Sequence, residues 1–239
     1  MTGIWNNMGT RITAASSFVA SNGWLVACKP DFRDWALANL QWRLYLPGGG
    51  ISHAGDTEGA LYCIGAGQVS FVAGVGVANI GTSYFGLPGM WWGHAPLLGG
   101  KRQGTILAVS ETICGALPNG LLRARLNSSP EDWRAITLGI AELFTASSGA
   151  HADLLIPRSE PRVAATILRL AGYRHRLFPT EPPASIACTQ DVLAGAAALS
   201  RNTVGKLLRE FERAGLLDAR YGRITILDAP RLMMLAQKD

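Results

Sequence analysis

Apolar positions follow helical spacing most clearly near the C-terminus. Val192, Leu193, Ala196 and Ala197 share one face, and after a break Val204, Leu207, Leu208 and Phe211 repeat the pattern. Thr189 and Ser200 stand one residue ahead of these two segments, where a side-chain oxygen can cap a helix, and Asp191 sits in the first opening turn. Leu199 closes the turn between them, and Gly215 stands where the second helix should stop. The polar face of the second helix carries Arg201, Asn202, Thr203, Lys206, Arg209 and Arg213. Residues 220–228 then read as a hairpin, with a turn at Tyr221-Gly222 followed by alternating Ile224 and Ile226. Two short helices, a tight turn and a small β-wing predict a winged helix-turn-helix, the arrangement that reads duplex DNA; the competing reading is a helical hairpin whose charges face water.

Upstream the period changes twice. Between residues 43 and 118, alternating segments are punctuated by glycines, among them Gly48, Gly49, Gly50, Gly65, Gly67, Gly74 and Gly76, which predicts a small barrel or double-sheet roll. From Pro130 to about Leu155 one helix is expected, with Ser128 or Ser129 as cap and Pro130 at its first position. It would be about 39 Å long at about 1.5 Å per residue. Trp133, Ile136, Ile140, Phe144, Ser147, His151 and Leu154 recur along it at steps of three or four, and Ala146, Ser147, Ser148, Gly149 and Ala150 leave room for another backbone. The face can pack on its own roll or on a second copy; the second is preferred, because a two-fold DNA site needs two reading helices. Residues 162–173 form a further amphipathic helix, 174–187 a proline-rich linker, and 24–29 and 32–40 short helical patterns. Residues 1–23 show no sustained period and are expected to be a loosely held extension.

Charge sharpens this division. Residues 1–157 hold nine Lys/Arg against nine Asp/Glu, whereas 158–239 hold thirteen against eight, so the net +5 lies wholly in the helix-turn-helix half, as phosphate binding would require. With 48% hydrophobic and 16% charged residues the chain is globular. Cys28, Cys63, Cys114 and Cys188 are scattered in apolar contexts without metal-ligand spacing and are expected to pack as small hydrophobes. Neither a signal peptide nor an apolar run of about 20 residues is found, so the expected setting is cytoplasmic, without a membrane partner. The roll offers only His53 and His94, far apart, and no nucleophile–base pair; no metal, cofactor or catalysis is expected.

In order and motif the chain resembles the Crp/Fnr family of bacterial transcription regulators. Thr189-Gln190-Asp191-Val192-Leu193-Ala194 and Ser200-Arg201-Asn202-Thr203-Val204-Gly205-Lys206-Leu207-Leu208 follow that family's T-x-x-x-[LI]-A … S-R-x-T-V-x-R-x-L signature in register. The likeness is weaker over 54–71, 88–93 and 108–118 in the roll. It implies an α+β chain: an extension at 1–23, a double-stranded β-roll of the cyclic-nucleotide-binding or jelly-roll type at 24–129, a dimerisation helix at 130–156 and a winged helix-turn-helix at 157–239. Arg201 would read guanine, and Lys206 stands where a second base-reading arginine is usual. Asn202 replaces the usual glutamate and suits adenine better than cytosine. Thr189, Gln190, Ser200 and Thr203 are candidates for phosphate contacts, with Arg209 and Arg223 also on the DNA-facing side. Ala198 stands where glycine is common, which loads the turn with a modest backbone cost.

The resemblance is poorest at the family's cyclic-nucleotide pocket. His94 takes the place of the ribose-holding glutamate, and Gln103 and Gly104 replace most of the phosphate clasp, although Arg102 remains. Ser147 and Ser148 align with the hydroxyl pair that meets the base. The implied effector is therefore a small molecule of unknown identity, or none, rather than cAMP. The expected partners are duplex DNA, a second copy and, as a further candidate, RNA polymerase. The iron–sulfur members' N-terminal cysteine set is absent, since only Cys28 precedes the roll. The alternative class is a cupin-like ligand-binding roll whose helical tail does not read DNA.

Overall fold

The computed structural model describes residues 2–73 and 82–237, so Gly74 and Gly76 lie outside the described residues. Two antiparallel four-stranded sheets make the roll. The strands in chain order are β1 (Gln41–Tyr45), β2 (Gly50–Ser52), β3 (Ala60–Ala66), β4 (Val69–Ala73), β5 (Thr82–Gly86), β6 (Trp91–Trp92), β7 (Gly104–Ala108) and β8 (Thr112–Pro118). One sheet runs β1-β8-β3-β6 and the other β2-β7-β4-β5. The glycine-punctuated alternation was therefore a correct guide to a double-sheet roll.

Residues 2–21 are not a loose extension. Thr2–Ser21 form helix α1, which lies on β3 with Ala15 and Val19 buried. Gly65 makes this approach possible: a Cβ there would fall 2.5 Å from the Ala15 Cβ. Arg11 on the helix pairs with Glu111, and just beyond its end Asn22 Oδ1 accepts the Glu181 amide at 3.0 Å. Stability here comes from tertiary docking, which a helical period cannot report. A 3₁₀ turn at Trp24–Ala27 and helix α2 (Pro30–Ala38), opened by proline with Asp31 in its first turn, follow the predicted short helical patterns. Trp24, Phe32, Leu61, Leu117, Leu122 and Ile136 form the core beneath this end of the roll.

The expected single helix from Pro130 is divided. A short helix α3 (His94–Leu97) precedes β7, and α4 (Asn119–Ser128) follows β8. Pro130–Asp132 then make a 3₁₀ turn, and the long helix α5 begins at Trp133 and runs to Leu154, with no side-chain cap. At 22 residues it is about 33 Å long rather than 39 Å. Ile136 belongs to the chain's own core, not to the outward seam on which it was expected. Trp133, Ile140, Phe144 and Leu154 do face outward, as do Ser148 and His151, while Ser147 is exposed at the edge of the cavity described below. Gly149 and Ala146 face inward: a Cβ on Gly149 would lie 2.0 Å from the His175 ring, so its smallness serves the chain's own packing.

Helix α6 (Ser159–Leu170) carries Val163, Ile167, Leu168 and Leu170 inward as predicted. The expected linker 174–187 is a pinned strap ending in a strand. Glu142 Oε2 on α5 accepts the amides of Leu177 and Phe178 at 2.9 and 3.2 Å, and Arg176 pairs with the same carboxylate at 2.8 Å. Strand β9 (Ser185–Ala187) joins the hairpin β10 (Leu217–Arg220) and β11 (Arg223–Ile226) in a sheet of order β10-β11-β9. Helices α7 (Gln190–Ala197), α8 (Arg201–Arg213) and α9 (Ala229–Ala236) complete the domain. The Gln68 amide of the roll exchanges two hydrogen bonds with the Ala187 backbone, at 2.8 and 2.9 Å. One apolar cluster runs from Ile64, Val69 and Phe85 of the roll into Ile167, Leu193 and Val204 of the C-terminal domain.

A buried ionic group sits at this junction. Asp153, fully buried near the end of α5, pairs with Arg169 at 3.1 Å, Arg174 at 2.9 Å and His175 at 3.0 Å. Arg169 is itself 2% exposed. Removing the carboxylate would leave that guanidinium buried without its counter-charge, so Asp153→Ala should lower unfolding stability by about 3–5 kcal/mol. Urea unfolding of the two proteins measures this, and a loss below about 1 kcal/mol would show that the group does not hold the junction together.

Candidate nucleic-acid interface and effector cavity

Both predicted caps are made. Thr189 Oγ1 accepts from the Val192 amide at 3.2 Å, and Ser200 Oγ accepts from the Thr203 amide at 3.1 Å. Between α7 and α8 the chain turns through Ala198 at φ 50°, ψ 50°, the left-handed conformation that its position required. For a residue bearing a Cβ this costs roughly 1–2 kcal/mol, which the burial of Leu193, Ala197, Val204 and Leu208 around the turn offsets. Gly205 lies beneath the start of α7, where a Cβ would come within 3.1 Å of Gln190 Oε1.

With Val204, Leu207, Leu208 and Phe211 buried, the opposite face of α8 is left to solvent. Arg201, Asn202, Lys206 and Arg209 are exposed there, and Thr203 is half-buried with its hydroxyl 2.9 Å from that of Ser200. Arg201 is 67% exposed and makes only a 3.4 Å pair with Asp191. Lys206 lies 3.9 Å from Glu210. Exposed ion pairs of this kind are worth at most about 1 kcal/mol, so both cations can turn to another anion.

The wing hairpin turns at Tyr221 and Gly222, with φ of 49° and 74°, the paired positive values of a tight type I′ turn. Its geometry brings Arg220 and Arg223 to the mouth of a groove of about 320 Å³ that also contains Thr189, Gln190 and Arg201. Arg223 is steadied by a 2.9 Å hydrogen bond to Ser185 Oγ. Arg220 and the fully exposed Tyr221 belong to this surface as much as Arg223 does. The sequence already places Arg220 on the wing beside Arg223; Tyr221, at the hairpin tip, is the addition.

The second candidate site is a cavity of about 400 Å³ between the two sheets of the roll and α5. His94, Arg102 and Ser147 line it; Ser148 faces outward and is not part of its wall. His94 is 6% exposed, and neither ring nitrogen has a hydrogen-bond partner. Burial pushes its imidazole down to about 4. Arg102 is 4% exposed: Nη2 donates to the Ala60 carbonyl at 2.9 Å, and the guanidinium lies 5.1 Å from the Tyr62 ring centre. Its Nε is 4.0 Å from Asp56 Oδ2, and both Nε and Nη1 lack a hydrogen-bond partner.

Phe71, Tyr84, Trp91, Trp92 and Leu143 also line the cavity and were not singled out from sequence. Alternation along a strand shows which residues share a face, but not which of two faces meets a cavity. All four cysteines are buried and free, and burial pushes the Cys28 and Cys188 thiols up to about 12. Among the described residues no three His, Cys, Asp or Glu side chains gather as metal ligands, and no helix is long and apolar enough to cross a membrane.

Comparison with known proteins bears on both sites. Residues 161–235 match the Crp-like helix-turn-helix domain. The chain is 28% identical over 213 residues to the cyclic AMP receptor protein of Thermus thermophilus, covering 87% of this chain and 93% of that one. It is 24% identical over 227 residues to the cAMP-activated global transcriptional regulator CRP of Haemophilus influenzae, covering 93% and 100%. A crystal structure of a CRP/FNR-family transcriptional regulator from Thermus thermophilus superposes with a TM-score of 0.58 at 25% identity, covering 83% of this chain and 99% of that one. The roll, the long helix and the capped helix-turn-helix follow the order of elements that these likenesses imply. Residues 161–235 are a Crp-like helix-turn-helix domain, and over most of its length the chain is similar to Crp/Fnr-type transcription regulators.

The burial of His94 gives a pH dependence whose sign can be worked out. The unfolded chain protonates this side chain near 6.5 and the folded chain near 4, so the unfolded state binds more protons in between. Its stabilising contribution is therefore complete above pH 6.5 and is lost as the pH falls toward 4, on the order of 3 kcal/mol in all. Urea midpoints measured from pH 7 to pH 4 should fall less steeply for His94→Gln than for the parent. Parallel curves would mean that the imidazole is not held neutral by burial.

Proposed function

We propose that the chain acts as a homodimer that reads a two-fold-symmetric duplex site, with one α8 in the major groove of each half-site. The observation that carries this reading is the exposed face of α8, held by a made cap and an apolar stripe beneath, with Arg201 at its solvent-facing start. An arginine there can bond guanine O6 and N7 together, discriminating by about 1–3 kcal/mol. Asn202, able to donate and accept, reads adenine at the neighbouring step, and Lys206 contacts guanine without the planar fork. Thr189, Gln190, Ser200, Thr203, Arg209 and the wing residues Arg220 and Arg223 hold phosphates and set register.

The exposed apolar stripe on α5 supports self-association. Phe144, 72% exposed, lies in line with Trp133, Ile140 and Leu154, and a second α5 is the natural cover for such a surface. The function is regulation in the cytoplasm, where RNA polymerase is the further partner, and no catalytic chemistry is assigned to the roll. cAMP is not the governing molecule in this reading: among the described residues lining the cavity no Asp or Glu can accept the ribose hydroxyls.

Gel-shift titration against fragments of the source genome tests the reading helix. Arg201→Ala should weaken specific binding roughly 5- to 150-fold per half-site while the fold is kept, the equivalent of about 1–3 kcal/mol. Equal affinity for the parent and the variant would show that α8 does not read the site through Arg201.

A further inference from the structure

The cavity in the roll is electrostatically incomplete. Its walls are chiefly apolar and aromatic, including Phe71, Trp91, Trp92 and Ile106. Into these walls the fold sets a guanidinium, that of Arg102, which is 4% exposed. Burial lowers its affinity for the proton it carries, though an arginine remains charged in any case. Its compensation is partial. One nitrogen bonds the Ala60 carbonyl, the Tyr62 ring offers its face, and the nearest carboxylate, Asp56, is half-exposed at 4.0 Å. Two of the three nitrogens have no hydrogen-bond partner. A buried charge left in this state is destabilising, and a suitable anion would offset that.

The neighbouring residues preserve that deficit. Gly93, at φ 112°, passes beside the guanidinium; a Cβ there would come within 3.0 Å of Arg102 Nη1 and 2.5 Å of the Ala60 oxygen. His94, also in the wall, has two unpartnered ring nitrogens, one of which carries a proton in the neutral ring. The polar inventory of the wall is thus one cation and a few neutral groups, with no acid among its described residues. A single cation balances a monoanion. Several hydroxyls on a ligand would lose water without gaining carboxylate acceptors, whereas an apolar body would meet the aromatic walls.

On the reading of the roll as the regulator's sensing half, we propose that the cavity binds an organic monocarboxylate with an apolar or aromatic body. Its carboxylate pairs with the Arg102 guanidinium and its body lies among Phe71, Trp91, Trp92 and Ile106. The volume of about 400 Å³ is at the small end of the range of roughly 300–1,000 Å³ found for ligand pockets, which suits a compact acid. Occupancy has a route to the DNA-binding half. Tyr84 lines the same cavity, Arg169 lies 5.9 Å from its ring centre, and Arg169 Nη2 reaches the Ala196 carbonyl on α7 at 3.4 Å.

The test is calorimetric titration of the full chain with benzoate, phenylacetate, trans-cinnamate and hexanoate, each beside its uncharged amide, and with cAMP. At least one acid should bind tenfold or more tightly than its amide, and Arg102→Gln should reduce that preference to less than threefold while leaving the amide's affinity unchanged. If that variant does not fold, the side-chain N–H resonance of Arg102 in ¹⁵N-arginine-labelled parent protein should shift with the acid and stay in place with the amide. Acids binding no better than their amides, a preference surviving in Arg102→Gln, an unmoved Arg102 resonance, or cAMP binding more tightly than every acid would each overturn the proposal. Gel shifts of the parent with and without each acid keep the two readings apart. Arg201-dependent DNA binding beside failed acid binding removes the ligand class alone, whereas no DNA binding in any of these conditions removes the regulator reading on which it rests.

Discussion

The junction of the two halves of this chain is organised by a carboxylate that water cannot reach. Asp153 draws together Arg169 of α6 and Arg174 and His175 of the strap. An ion in this position is tolerable only if its partners are held close, because desolvation of each charge amounts to several kcal/mol. Burial drives the Arg169 guanidinium down and the Asp153 charge opposes that shift. Geometry at the centre is therefore narrowly specified, and it fixes where α6 and the strap meet the end of α5. The neighbouring Glu142 fastens the strap one step further along, and Gln68 fastens β9 to the roll. These polar fastenings, laid over one continuous apolar cluster, determine where α8 points.

That arrangement gives the cavity and the reading helix a common neighbour. Tyr84 lies in the cavity wall and under Arg169, which touches both Asp153 and the Ala196 carbonyl. A ligand that moves Tyr84 acts on a group with few alternative arrangements, because Arg169 is enclosed on all sides. The outward stripe of α5 lies on the same helix that carries Asp153, so in the proposed homodimer the pairing along α5 and the orientation of α7 and α8 are linked through one element.

How much of this could be read beforehand differs by region, for physical reasons. The reading helix was legible because its signals are local: caps at Thr189 and Ser200, an apolar stripe of period 3.6, and a wing turn at Tyr221-Gly222. Even the strained turn followed from finding Ala198 in a place that favours glycine, and its φ of 50° agrees. The roll was legible as a class from glycine and alternation, though not which faces meet the cavity. Long-range packing was least legible. Helix α1 depends on the gap left by Gly65 fifty residues away, and β9 exists because β11 offers it an edge. Gly149 looked like room for a second chain, yet its space is filled by the chain's own His175, and Ile136 faces its own core. Periodicity gives a stripe's direction relative to its neighbours, but the identity of what covers it is a tertiary fact.

Two copies placing Arg201 into successive major grooves is the central claim, and chemical protection of guanine N7 on a bound genomic fragment addresses it most directly. The account predicts two sets of protected guanines, related by two-fold symmetry and centred about one helical turn of 10–10.5 base pairs apart, or a whole multiple of it. Both sets should disappear with Arg201→Ala. A single protected set, or protection that persists in the variant, would contradict it.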